Sequence, residues 1–303
     1  MEKFDEEECE DPHVTTSNVC GIVVTFHPAP DAIENLSKLK QQVERVIVVD
    51  NGSSPEELAM LRAGQASLGF ELIENGENLG IATALNIGVR RADVLKCTWV
   101  FLFDQDSCVT DGFTDTMLRA FCRMPENHQI GILIPAYVDK RHGAAIAATR
   151  ELNSEIESAM TSGSLIRMEV FKKHGLFADE LFIDGVDHEY SLRLRQAALS
   201  IKECADAVLL HSPGSPTSHR ILRKKSFLSS NYGSTRRYYQ ERNKVWLVRH
   251  YWRTFPSFCK RQIKVTVKDI LKIVLFEEDK VSKCSFMLRG WRDGLRGRMG
   301  RLL

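Results

Sequence analysis

The stretch FLFDQDS, Phe101–Ser107, follows Trp99 and Val100 and decides the fold. The run WVFLF has no polar alternation, so it reads as a strand buried on both faces. Such strands belong to parallel sheets of α/β domains, whose ligands bind beyond the carboxyl ends of the strands. Asp104 and Asp106 sit at that end. Three roles are open to them: acid–base catalysis, metal ligation, or a polar turn that closes the strand.

Upstream, strand and helix signals alternate. CGIVVTF (Cys20–Phe26) and RVIVVD (Arg45–Asp50) read as buried strands, and GFELIEN as a weaker third. Between them, DAIENLSKLKQQV has helical spacing. PEELAMLRAG opens on Pro55 and two early glutamates, a good helix start. Ile81–Arg91 reads as a helix despite its glycines. This alternation predicts βαβ units around a parallel sheet. Downstream the pattern is mixed. IGILIPAYV (Ile130–Val138) and DAVLLH (Asp206–His211) read as strands, and TSGSLIRMEVFKKHG as a short strand and a helix stopped by Gly175. DHEYSLRLRQAAL reads as an amphipathic helix with Tyr190, Leu194 and Ala197–Ala198 near one face. From Tyr238 the chain is helical and basic.

The 303 residues suit one large α/β domain with an extension. The formal net charge of +1 hides an asymmetry. From Arg220 to Leu303 there are 22 Lys and Arg against six Asp and Glu, about +16, so the remainder carries about −15. An anionic partner for the C-terminal part follows, either lipid headgroups or nucleic acid. Eight cysteines lack CxxC or paired spacing, which argues against zinc and redox motifs and for a reducing compartment. The acidic opening MEKFDEEECE is unlike a secretory signal, and no run reaches the length of a membrane span. A loose acidic tail is expected over residues 1–18.

Four constellations carry possible chemistry. Asp50 ends the second strand on the same sheet edge as Asp104; it can accept from a nucleobase N–H or ribose hydroxyl, or close its own Asx-turn. In NLGIATALNIGV, the small residues Gly80, Ala82, Ala84 and Gly88 alternate with larger ones, alongside Asn78 and Asn86, at a loop-to-helix entry. They allow close approach of a phosphate to a helix N-terminus, or tight helix–sheet packing. The spacing is not GxGxxG. Asp104 and Asp106 are spaced to share Mg²⁺ or Mn²⁺ with phosphate oxygens, and His211 at another strand end can add a nitrogen ligand. In LFIDGVDHEYSLR, Asp184, Asp187 and Glu189 gather at a helix start, where one carboxylate can deprotonate an alcohol and another cap the helix.

The ordered set VVTFHP, VIVVDNGS, ENLGIATALNIGV, FLFDQDS, TSGSLIR, FIDGVDHEYSLRLR, VLLHSPG and RRYYQERN resembles family 2 glycosyltransferases with the GT-A fold. Within them it looks most like the bacterial rhamnosyltransferases of surface-polysaccharide (O-antigen) assembly, over roughly residues 20–250. The resemblance implies a Rossmann-like nucleotide-diphospho-sugar transferase domain (19–250) with a mixed, mostly parallel sheet, and a basic helical extension (251–303). It implies an inverting, metal-dependent transfer of a sugar, best matched by L-rhamnose from dTDP-L-rhamnose. The acceptor would be a saccharide or lipid-linked acceptor, at the cytoplasmic face of the inner membrane. Other UDP- or dTDP-sugar donors, galactofuranosyl or glucosyl, fit the same pattern. Thr25 and Asp50 would contact base and ribose, and Asn78 would line the nucleotide side. Asp106 would ligate Mn²⁺ or Mg²⁺, Asp104 the ribose or metal-bound water, and His211 the metal. Asp187 matches the catalytic base, with Glu189 a structural or acceptor-site acid. Arg237, Tyr238, Tyr239, Arg242 and Asn243 match a motif that follows a mobile acceptor-side loop, about Ser212 to Thr235. Gly185 departs from the pattern, since many relatives carry a large residue there.

Single displacement needs no second carboxylate as nucleophile. The tail from Tyr251, with Trp252, Phe255, Phe258, Ile270, Leu271 and Trp291 among many Lys and Arg, reads as a peripheral contact with an anionic membrane or as a helical cap. A sugar-nucleotide-forming nucleotidyltransferase is disfavoured because VVTFHPAPDA lacks a Gly-rich phosphate loop. A nucleic-acid-binding protein is disfavoured because no helix-turn-helix, zinc or RNP-type motif is present.

Overall fold

Three apolar runs pair side by side at the centre of the sheet. β1 (Val19–Thr25) lies between β2 (Arg45–Asp50) and β4 (Trp99–Asp104), parallel to both. All seven β1 residues are buried, as their unbroken apolar character predicts. The register sets Thr25 beside Asp50 and Val24 beside Asp104, so the carboxyl ends of all three strands meet at one edge. The computed structural model describes residues 18–140, 156–211, 217–221, 225–229 and 231–302. The expected acidic tail lies outside these residues except for Asn18.

Helices α1 (Asp31–Lys40), α2 (Pro55–Leu68) and α3 (Ile81–Val94) connect β1, β2, β3 (Glu71–Glu74) and β4. The start of α2 is a capping box. Ser54 Oγ accepts from the Glu57 amide, the Glu57 carboxylate accepts from the Ser54 amide, and Pro55 occupies the first turn. On α3, Ala82, Ala84 and Gly88 are buried, and a Cβ on Gly88 would stand 2.4 Å from Ile22 Cγ2. The small residues there serve helix–sheet packing.

After β4 the sheet becomes mixed. The order is β3-β2-β1-β4-β7-β6-β8-β5. β5 is Cys108–Val109, β6 Ile130–Asp139, β7 Ser164–Arg167 and β8 Ser200–His211. β7 runs antiparallel to β4 and β6, while β8 runs parallel to β6. The strand expected from Asp206 starts at Ser200, and its register against β6 jumps at Pro135, which has no N–H to give the ladder. α4 (Phe113–Arg123) follows β5 and α5 (Met168–His174) follows β7; α6 (Val186–Gln196) ends before Ala198, whose positive φ of 61° stops the helix earlier than its apolar pattern suggests.

Of the expected acceptor-side loop, Thr217–Ile221 (β9) and Lys225–Ser229 (β10) form an antiparallel hairpin; residues 212–216, 222–224 and 230 lie outside the described ones. Three helices complete the chain: α7 (Ser234–Tyr251), α8 (Pro256–Phe276) and α9 (Lys280–Arg296). The helical region thus begins before residue 251, and α7 packs against both other helices. Among the described residues no helix is long and apolar enough to cross a membrane.

Candidate active site

Two residues of β5 bring the site together. Cys108 pairs with Leu210 and Val109 with Leu209, which draws the end of FLFDQDS beside His211. Ligand atoms of Asp104, Asp106 and His211 all lie within 4.8 Å of one another. His211 Nδ1 is 3.5 Å from Asp106 Oδ1 and 3.2 Å from Ser107 Oγ. Ser107 reaches buried Ser162 at 2.7 Å, and Ser162 Oγ accepts from the Asp104 amide at 3.1 Å. The SGS run that opens β7 therefore fixes the backbone between the two aspartates.

Burial and the adjacent Asp106 charge push Asp104 up to about 6, with His211 acting in the opposite direction. Asp106 is raised too, by burial first, again opposed by His211. Two carboxylates crowded at a strand end without a full positive counter-charge resist ionisation. Hard oxygen donors with one imidazole suit a divalent cation of the Mg²⁺ or Mn²⁺ type, whose charge would remove that resistance. The residues present fit such an ion.

The residues expected at the nucleotide side, Thr25, Asp50 and Asn78, are held in a network within the protein. Thr25 and Asp50 are fully buried. Asp50 accepts from Thr25 Oγ1 at 3.0 Å, from the Ser53 amide at 2.9 Å and from the Gly52 amide at 3.1 Å, and also from Ser53 Oγ. It is the Asx-turn residue of the NGSS loop, and its acceptor sites are filled by the protein. Asn78 Oδ1 accepts from Asn51 Nδ2 and from the Gly80 amide. The α3 N-terminus is likewise engaged, because the Ile81 amide donates to Phe182 O at 2.7 Å. A Cβ on Gly80 (φ 89°) would stand 2.6 Å from that same oxygen. The close approach that glycine permits here is to the chain at Phe182. Gln105, unremarked in the sequence, ties β1 to β4: its amide accepts from Phe26 N–H at 2.8 Å and donates to Phe26 O at 3.1 Å.

Asp187 stands half-buried in the first turn of α6, where its Oδ1 accepts from the His188 amide at 2.8 Å. It is near enough to Asp104 to help raise that group. The N-terminus of α6 thus brings a third carboxylate within electrostatic reach of Asp104. Glu189 is 4 % exposed, paired with Arg193 at 2.7 Å and hydrogen-bonded by Tyr251 Oη at 3.2 Å. These contacts make it part of the packing between α6 and α7.

The backbone before Asp187 is bent, with positive φ at Phe182 (64°), Asp184 (63°) and Gly185 (82°). Residues of α7 hold it. Asn243 Nδ2 approaches the carbonyls of Leu181, Ile183 and Asp184 at 2.9, 2.8 and 2.6 Å. Arg242 Nη2 donates to Leu181 O at 2.9 Å. Arg236, overlooked in the sequence, grips the Asp184 carboxylate through two bonds of 3.1 and 3.2 Å. Tyr239 stacks on Phe182 with centroids 4.9 Å apart. The opposite side of α7 binds the later helices. Arg237 pairs with Glu277 at 3.0 Å, and Tyr238 Oη donates to Asp293 at 3.1 Å. Arg237, Tyr238 and Arg242 are all buried. These contacts pack α7 between the backbone before Asp187 and the later helices. Gly185 leaves room for Leu247 and Asn243, which lie 3.3 and 3.6 Å from where its Cβ would be.

Residues 21–175 match the family model described as glycosyl transferase family 2. The chain is 27 % identical to dTDP-rhamnosyl transferase RfbF of Shigella flexneri, over 94 % of its own length and 97 % of the relative's. It is 24 % identical to galactofuranosyltransferase GlfT1 of Mycolicibacterium smegmatis, covering 77 % and 83 % of the two chains. Among solved structures, residues 1–349 of TarS from S. aureus superpose with a TM-score of 0.55 at 14 % identity, over 93 % of this chain and 82 % of that one. The same fragment in complex with UDP-GlcNAc gives 0.53 at 15 % identity, over 92 % and 73 %. At these identities the structural likeness speaks to the fold.

Proposed function

The chain belongs to glycosyl transferase family 2, and from that premise we propose that it is an inverting transferase of L-rhamnose. The donor is dTDP-L-rhamnose and the acceptor a saccharide or lipid-linked acceptor of cell-surface polysaccharide assembly, reached at the cytoplasmic face of the inner membrane. The observation that carries the reading is the cluster of Asp104, Asp106 and His211, with the Asp187 charge felt at Asp104. The choice of sugar rests on the near full-length relative named for dTDP-rhamnose.

Asp104, Asp106 and His211 would hold Mn²⁺ or Mg²⁺, which when bound supplies positive charge against the donor diphosphate. Asp187 takes the proton of the acceptor hydroxyl. The acceptor oxygen forms its bond to the anomeric carbon. The bond from that carbon to the diphosphate oxygen breaks, and its electron pair leaves with the nucleoside diphosphate. One displacement inverts the anomeric configuration. Asp50 and Asn78 act by fixing the loops that border the donor space, and α7 acts by holding Asp187 in place.

A thermal-shift panel of sugar nucleotides with Mn²⁺ or Mg²⁺ tests this. Donor at a hundred times its Kd stabilises by about 2.7 kcal/mol. Melting should therefore rise by about 5 °C with dTDP-rhamnose plus metal, and not in Asp106→Ala. A response to UDP-galactofuranose alone would shift the assignment to the chemistry of the second relative, and a flat panel would sink it altogether. Asp187→Asn should keep the donor shift while transfer falls by about 10²–10⁴-fold; undiminished turnover removes Asp187 as the base.

A further inference from the structure

The last two helices have more apolar surface than their packing uses. Nine of the twelve large apolar side chains exposed among the described residues lie on α8 and α9. On α8, Ile263, Val267, Leu271 and Val274 recur every three or four residues and form one stripe, 47–55 % exposed. On α9, Val281, Leu288 and Leu295 recur every seven residues and are 59–85 % exposed. The stripes meet where Val274 faces Val281 and Leu288, across an open groove of about 810 Å³ rimmed by Lys280 and Arg292. Beside the α8 stripe runs a second row, Lys260, Lys264 and Lys268, all exposed.

The acids of these helices are turned away from that surface. Asp269 faces Lys244 and Arg237, each at 3.5 Å. Glu277 is held by Arg237 and Lys283 at 3.0 and 2.9 Å. Asp293 is buried beneath Tyr238, and Arg292 reaches it at 3.3 Å. Glu278 and Asp279 are the exposed acids of this region. The internal pairing of three acids leaves an outer face that is apolar and cationic together.

Building on the membrane-held acceptor proposed above, we infer that the α8–α9 face docks on an anionic lipid surface, with the apolar stripes entering the headgroup boundary and the lysine row lying against lipid phosphates. Helices that combine Lys and Arg with an apolar stripe, but lack the length of apolar chain needed to span, lie in the interface plane. A second copy of the chain fits less well. A two-fold contact through this face would set the lysine rows near one another. The docked face is joined to the reaction space through α7, whose opposite sides hold α9 and the backbone before Asp187.

The full chain should float with vesicles of phosphatidylcholine containing about one third phosphatidylglycerol, in about 0.1 M salt, at least tenfold more than with phosphatidylcholine alone. Lys264→Gln with Lys268→Gln should weaken partition about twenty-fivefold, near fivefold for each charge. Leu271→Ser with Val274→Ser should weaken it at least about tenfold, while Val94→Ser, at an exposed site elsewhere, should not. All these positions are solvent-facing, so melting curves should stay unchanged. Equal partition into both vesicle types overturns the inference. So does no binding, or a salt-insensitive dimer dispersed by the Leu271 and Val274 changes. Vesicle binding is read without donor or acceptor, so its failure leaves the transferase assignment standing, and a flat donor panel leaves the lipid result standing.

Discussion

Burial and the neighbouring Asp106 charge lift the Asp104 carboxyl to about 6. Between about pH 4, where a free aspartate titrates, and pH 6, the folded chain keeps a proton that the unfolded chain has released. Stability from this residue therefore falls as pH rises through that window. Asp104→Asn removes the effect. Without metal, the variant should gain in melting temperature relative to the parent between pH 4.5 and pH 7.5, within the range that a shift of about two pH units allows. An equal difference at both pH values would contradict the crowded-carboxylate reading. Divalent metal should act in the opposite sense and stabilise the parent more at the higher pH, because it competes with the proton. The two aspartates were legible as residues at a strand end. His211 was legible as a ligand at another strand end, but the two-residue strand β5 that draws it alongside was not, being too short to leave a periodic signal. Asp50 was legible in position, and its four protein donors were not, since the carboxylate of an Asx-turn and that of a ligand contact have the same sequence pattern.

At the scale of elements, α7 is a helix with work on two sides. Arg236, Tyr239 and Asn243 share a side that faces the bent backbone before Asp187, while Arg237, Tyr238 and Glu241 face α8 and α9. Its sequence, RRYYQERN, offers no single apolar stripe, so periodicity could not orient it, and resemblance placed it on the acceptor side. The strands and helices of the first hundred residues were easier to read, because unbroken apolar runs and the Ser54–Glu57 cap act locally. Asn243→Ala tests the orientation. It leaves the carbonyls of Ile183 and Asp184 without this donor, while Leu181 O keeps Arg242, which costs about 1–3 kcal/mol. Melting should fall accordingly. If the bond serves Asp187, kcat should fall more than donor affinity, because the base shifts while the aspartate and histidine cluster stays. An unchanged kcat at permissive temperature would make the bond one of stability alone.

For the whole molecule, the charge asymmetry was legible as a sum, but the sum does not tell which acids and bases meet. Folding spends Asp269, Glu277 and Asp293 inside the helical junction, so the outer face is more cationic than composition suggests. The same pairs bear on where the catalytic unit ends. A boundary at residue 250 would cut Arg237 from Glu277, Tyr238 from Asp293, and Glu241 from both Thr266 and Trp291. Breaking one buried ion pair by loss of a partner costs about 3–5 kcal/mol, against a total stability of about 5–15 kcal/mol. Arg237 would lose its Glu277 partner, while Glu241, which keeps Lys244, would lose two hydrogen-bond donors, so the losses together are a large share of that stability. A chain ending at residue 250 should therefore lack a cooperative melt, or melt at least about 10 °C below the full chain, and should lose the metal-dependent donor response through disorder of α7. Circular dichroism melts of the two chains provide the measurement. A shortened chain that melts cooperatively within a few degrees of the full one would make α8 and α9 an appendage, and the catalytic unit would then end with α7.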